Sequence, residues 1–152
     1  MTVPYAEVIG DPVAHSKSPL IHNFWLKKLG LEGDYRRTRV TSEELASFLA
    51  QRLTDRDWLG CNVTIPHKSA AAGLALEMSP PADKLAAANC LVRHGRFEPF
   101  LVAHNSDVAG FLEPLSDLDF SGTDWLFAHV VGTGGAAAAA TYALHQDRKS
   151  VV

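Results

Sequence analysis

Short β-rich runs alternate with helical patterns along the first half of this chain, and that alternation restricts it to an α/β sheet. Residues 5–9, 35–40 and 59–63 read as strands, and 19–29 and 43–53 as the helices between them. In the first helix Ile21, Phe24, Trp25 and Leu29 recur at helical spacing and make one apolar face, with Pro19 tolerated in the first turn. The second helix follows the capping-box signal Thr41-Ser42-Glu43-Glu44 and turns Leu45, Phe48, Leu49 and Leu53 inward. Each helix is expected to have one dry side. Past Lys68 come an Ala-rich helix to about residue 76, a Pro80-Pro81 break, a short helix to about residue 88, and strands near 90–93 and 97–102. Asp107 opens a helix through Phe111, Leu112 and Leu115, and 119–124 reads as a turn-rich linker. A strand over 126–131 then leads into Gly132-Thr133-Gly134-Gly135-Ala136 and a second Ala-rich helix.

Composition narrows the function classes. With 47% hydrophobic and 20% charged residues, the 152-residue chain has the balance of a soluble globular protein. Its net charge of −3 and scattered Lys and Arg offer nucleic acid no basic field. The opening segment has neither a signal-peptide core nor an apolar run long enough to span a membrane, so the expected location is the cytoplasm. Cys61 and Cys90 lack C-x-x-C spacing and read as reduced thiols, and the 7 histidines form no H-E-x-x-H or equivalent, so no metal site is expected.

The chemistry concentrates at strand ends. In Asn62-Val63-Thr64-Ile65-Pro66-His67-Lys68 a strand breaks at a proline and a lysine enters the first turn of the next helix. A helix N-terminus disfavours an ammonium, which makes Lys68 a candidate proton-transfer group, although a solvated surface lysine is the plainer reading. Asn62 and Thr64, two apart on a strand, present an amide and a hydroxyl to the same side. Three more polar clusters occupy comparable places: Ser16-Lys17-Ser18-Pro19, Ala88-Asn89, and His104-Asn105-Ser106-Asp107. Singly, the serines, Asn89 and Asp107 suit turns and helix caps equally well. In an open α/β sheet, however, ligands bind outside the carboxyl ends of the strands, where four such clusters can meet one small molecule. The strand, glycine turn and helix around Gly132 make a phosphate-binding corner, although the full G-x-G-x-x-G spacing is missing.

In this order the motifs resemble the shikimate dehydrogenase family, from about residue 5 to 144. They are Gly10-Asp11-Pro12-Val13-Ala14-His15-Ser16-Lys17-Ser18-Pro19, Asn62 through Lys68, Ala87-Ala88-Asn89, Asn105-Ser106-Asp107-Val108-Ala109-Gly110 and Gly132-Thr133-Gly134-Gly135-Ala136. The resemblance implies that Ser16 and Ser18 hold the shikimate carboxylate, that Asn62, Thr64, Asn89 and Asp107 read its ring hydroxyls, and that Lys68 and Asp107 are the catalytic pair. Which of the pair takes the proton stays open, since coupled groups titrate jointly. It further implies NADP as cofactor, held by Gly132, Gly134, Gly135 and Ala136, and the reversible reduction of 3-dehydroshikimate in aromatic amino acid (chorismate) biosynthesis. A dual quinate/shikimate specificity and a non-catalytic shikimate-binding module are the alternatives. Three departures stand out: Cys90 where the family usually has threonine, His104 and Ser106 around Asn105, and Ala136-Ala137-Ala138 where an arginine is common.

The implied organisation is a substrate-binding domain over 1–106 with a mixed, mostly parallel sheet flanked by helices, then a connecting helix and linker over 107–120. Residues 121–152 would be the first βα unit of a Rossmann-like nucleotide-binding domain. Such a domain normally needs 100 or more residues. The tail Asp147-Arg148-Lys149-Ser150-Val151-Val152 departs from the family pattern and matches one reading frame of a common sequencing adapter. The expectation is therefore a truncated chain that lacks turnover by itself.

Overall fold

β1 (Tyr5–Gly10) is buried at five of its six positions, the mark of a strand covered on both faces. It pairs in parallel with β2 (Asp34–Arg39) on one side and β3 (Trp58–Val63) on the other. The computed structural model describes residues 3–116, 127–146 and 150–151. They fall into two units, Met1–His104 and Asn105–Val152. The first unit holds a six-stranded sheet of order β2-β1-β3-β5-β6-β4, completed by β4 (Glu77–Met78), β5 (Cys90–His94) and β6 (Phe100–His104). β5 runs antiparallel to both β3 and β6, and β4 parallel to β6, so the sheet is mixed and mostly parallel as expected.

Helices α1 (Ser18–Leu29), α2 (Leu45–Thr54), α3 (Lys68–Gly73) and α4 (Pro80–Leu85) flank this sheet. The core gathers Ile9, Leu45, Leu49, Trp58, Val63, Leu91 and Leu101, with Phe48 and Leu53 packed against it, so α2 turns inward the residues its periodicity indicates. At its entrance the Glu44 carboxylate accepts the Thr41 backbone N–H at 3.0 Å, one half of a capping box, and the helix proper starts at Leu45. Gly60 lets β3 and β5 approach: its φ is +150°, and a Cβ there would overlap the Leu91 carbonyl oxygen.

α1 departs from expectation. None of its residues is buried, and Ile21, Phe24, Trp25 and Leu29 are 46% to 69% exposed. An apolar stripe records a face suited to being covered without specifying what covers it, and no described residue of this unit buries this one. α1 is held instead through Asn23, whose side chain bonds both backbone groups of Tyr35 on edge strand β2 at 2.9 Å.

In the second unit α5 (Asp107–Leu112) continues into a 3₁₀ turn (Glu113–Leu115) and packs against α6 (Gly135–Gln146). The expected strand over 126–131 is shorter. β7 covers Phe127–Ala128 only, paired in parallel with β8 (Ser150–Val151), and Val131 is 98% exposed. Leu126 and the expected linker over 119–124 lie outside the described residues. Among the described residues no helix is long and apolar enough to cross a membrane.

Candidate active site

The sheet's directions decide what meets at its edge. β1, β2 and β3 are parallel, so Gly10, Arg39 and Val63 end at one side. β5 runs the opposite way and starts there, with Cys90 opposite Asn62. Backbone bonds stitch this edge together: Thr64 N–H to the Ile9 carbonyl at 3.0 Å, Val63 N–H to Asn89 at 2.8 Å, Ala88 N–H to Lys68 at 2.8 Å, and Asp11 N–H to Ile65 at 3.1 Å. Asn62, Thr64, Lys68 and Asn89 are thereby carried on neighbouring segments. Gly10 makes this possible, because a Cβ there would overlap Thr64 Cγ2 and meet the Ile65 carbonyl oxygen at 2.9 Å.

The loop after β1 leads to the serines. Ser18 is the first residue of α1, and its N–H and hydroxyl both lie near the Ser16 hydroxyl, at 3.3 Å and 3.2 Å. Two hydroxyls thus meet at the start of a 12-residue helix, an arrangement suited to a carboxylate. Arg37 bonds the carbonyls of Ala14 (2.5 Å) and Ser16 (3.2 Å), fixing the loop from β2.

Lys68 opens α3, as its sequence position suggests, but α3 has only six residues. So short a helix sums few peptide dipoles, and the argument from the helix end loses most of its weight. What places Lys68 is the loop before it. His67 is buried, and its Nε2 lies 2.7 Å from the Val40 carbonyl, which can only accept; Nε2 therefore carries the proton and ties the loop to the end of β2. The thiols of Cys61 and Cys90 are both pushed up by burial, so neither offers a ready nucleophile.

In the second unit Asp107 is the first residue of α5, and its N–H donates to Asn105 Oδ1 at 3.0 Å. Gly132 has a φ of +141°, and α6 begins at Gly135, so Gly135 and Ala136 form its first turn. An open cavity of about 490 Å³ lies beside this loop, lined by Gly132, Thr133, Ala137, Ala138, Tyr142 and His145 among others. Among the described residues no cluster of three His, Cys, Asp or Glu stands ready for a metal.

Sequence reasoning passes over Tyr35 and His67. Neither is given a role there, yet each makes a polar bond at this edge: His67 to the Val40 carbonyl, and the Tyr35 hydroxyl to Asn62 Oδ1 at 2.5 Å. The available signal is an aromatic or imidazole polar tip on a strand or loop next to polar site residues.

Comparison with known proteins follows the same outline. Residues 8–91 match the family described as the shikimate dehydrogenase substrate binding domain. The shikimate dehydrogenase (NADP(+)) of Sphingopyxis alaskensis is 49% identical over 141 residues, covering 93% of this chain and 50% of that relative. Among solved structures, shikimate dehydrogenase from Aquifex aeolicus superposes with a TM-score of 0.87 at 29% identity, covering 98% of this chain and 54% of that one. Shikimate 5-dehydrogenase from Thermus thermophilus, in complex with NADP(H) and shikimate, gives 0.79 at 35% identity, covering 97% and 54%. The chain spans about half the length of these relatives.

Proposed function

The chain belongs to the shikimate dehydrogenase family, and on that premise we propose that it carries the substrate-binding part of an NADP-linked shikimate dehydrogenase, a cytoplasmic enzyme reducing 3-dehydroshikimate to shikimate. Residues 1–106 bind the substrate, 107–120 connect, and 121–152 begin the nucleotide-binding part. The observation that carries this reading is the sheet edge of the first unit, where the paired hydroxyls of Ser16 and Ser18 adjoin segments bearing Asn62, Thr64, Asn89 and Lys68. A carboxylate and several ring hydroxyls need that assortment: hydroxyl donors for the acid, amide and hydroxyl groups for the alcohols.

Ser16 and Ser18 hold the carboxylate; Asn62, Thr64, Asn89 and Asp107 read the ring hydroxyls. Lys68, with Asp107 as its partner, moves the proton at the reacting carbinol oxygen, because hydride transfer from a secondary alcohol requires that proton to leave. The glycine loop suits a dinucleotide's pyrophosphate: Gly132 has a left-handed backbone, a Cβ at Gly134 would meet nothing within 4 Å, and the twelve-residue α6 starts there. Gly132, Gly134, Gly135 and Ala136 would hold the cofactor, which when bound would donate the hydride as NADPH in the reducing direction and accept it as NADP in the reverse. The alanines at 136–138 leave its phosphates without the arginine common in the family.

Titration of the chain with shikimate, followed by calorimetry, tests this reading, and saturable binding is the expected result. Ser16→Ala and Ser18→Ala should each weaken it by about 1.5 to 3 kcal/mol, the range for hydrogen bonds to a charged group. Shikimate methyl ester should lose less than the acid does. An equal loss for ester and acid would remove the serines from the carboxylate.

A further inference from the structure

We infer that Tyr35 is a positioning residue that fixes which way round the Asn62 amide faces the substrate. The inference rests on the functional reading above and extends it to a side chain on an edge strand. The Asn62 amide lies between two groups: the Tyr35 hydroxyl, 2.5 Å from Oδ1, and the Asn89 backbone carbonyl, 3.5 Å from Nδ2. A phenol can donate or accept, so Tyr35 alone would tolerate either amide orientation. A carbonyl only accepts. The Asn89 contact is long and the Tyr35 contact short, so the short bond sets the orientation: the oxygen faces Tyr35, Tyr35 donates, and the NH₂ end is turned to an acceptor. The 2.5 Å separation is an O–H···O length, shorter than an N–H···O bond would be. With both ends assigned, one N–H and one oxygen lone pair of Asn62 remain for a ligand, each in a set direction.

Tyr35 is itself held by two residues of α1. Asn23 takes up its backbone N–H and carbonyl at 2.9 Å each, closing the outer edge of β2 at this residue. The His22 ring stacks on its ring at 4.1 Å between centroids and 24° between planes. Tyr35 is only 6% exposed, and burial keeps its phenol protonated, hence a donor, across the ordinary pH range. The line His22 and Asn23, Tyr35, Asn62 thus runs from α1 through β2 to β3. Orienting the amide matters because a flipped amide would set its oxygen against the Asn89 carbonyl and exchange the donor and acceptor directions that the ring hydroxyls meet.

Tyr35→Phe removes only the hydroxyl and keeps the ring stacking. In the ligand-free chain, the side-chain NH₂ resonances of Asn62 should shift or split in this variant while most backbone resonances stay in place. Shikimate should bind roughly 5- to 10-fold more weakly. In an Asn62→Ala background the same substitution should change affinity less than twofold, since the group it positions is gone. Unmoved Asn62 resonances overturn the assignment, and so does an equal loss of affinity in both backgrounds, which would mark a merely structural role. If the unsubstituted chain binds no shikimate, the proposed function falls, and the Asn62 resonances alone still decide whether Tyr35 sets the amide.

Discussion

Replacing Lys68 with alanine should lower kcat by roughly 10² to 10⁴ and change the KM for shikimate much less. The assay is shikimate-dependent NADPH formation by a chimera joining this chain to the remaining part of the 49% identical relative. The size follows from the task. A secondary alcohol gives up a hydride easily only as its hydroxyl proton leaves, so a group that takes the proton acts in the transition state and hardly at all in the ground state. The backbone around Lys68 is held on both sides: His67 is tied to Val40, and the Lys68 carbonyl receives the Ala88 N–H. Asp107→Asn should also reduce kcat, with some rise in KM because its carboxylate is assigned a substrate hydroxyl as well. A Lys68→Ala chimera within tenfold of the parent kcat would remove Lys68 from proton transfer.

Much of this architecture is legible in the order of short apolar runs, for reasons visible in individual elements. β1, buried at five of six positions, and β3, buried at four of six, appear as largely apolar stretches, while Leu45 and Leu49 recur at helical spacing because α2 meets the core along one line. β4 leaves no trace in the sequence because two residues, Glu77 and Met78, carry no period at all. The α1 stripe is apolar as its spacing indicates but is not covered within this unit, since periodicity does not name a partner. Among the site residues, Ser16, Ser18, Asn62 and Lys68 are recognisable because polar types interrupt the apolar pattern at strand ends and helix starts. Tyr35 is not, because its ring satisfies the core and only its hydroxyl reaches Asn62. Glu7 is hidden for the opposite reason: nothing in a strand sequence announces that a carboxylate will be fully buried with a partner 45 residues away.

That buried carboxylate sets the largest stability effect expected here. Glu7 is fully buried in β1; Arg52 on α2 reaches it with Nε at 2.7 Å and Nη2 at 3.4 Å, and the Thr38 hydroxyl of β2 donates to the same carboxylate. Arg52 also lies over the Phe48 ring at 4.6 Å and the Tyr5 ring at 5.8 Å, so its stem and guanidinium seal the pair from one side. Tyr5 belongs to the same cluster: its hydroxyl donates to Asp55 at 2.8 Å, and burial, with that bond second, pushes its phenol up to about 12. Arg52→Met keeps the aliphatic stem but strands a charge inside the sheet, and losing one partner of a buried ion pair typically costs about 3 to 5 kcal/mol. The Arg52 side chain is 25% exposed, so water reaches the pair and the low end, about 3 kcal/mol, applies. For a unit of this size that loss lowers the Tm by roughly 10 to 20 °C, measurable by circular dichroism. Adding Glu7→Gln removes the stranded charge and keeps an oxygen for the Thr38 hydroxyl, so the double variant should regain more than half of the loss. A single variant melting within about 3 °C of the parent would show that the Glu7 charge is satisfied without Arg52. A double variant no more stable than the single one would show that the loss came from packing over Phe48 and Tyr5, not from the buried charge.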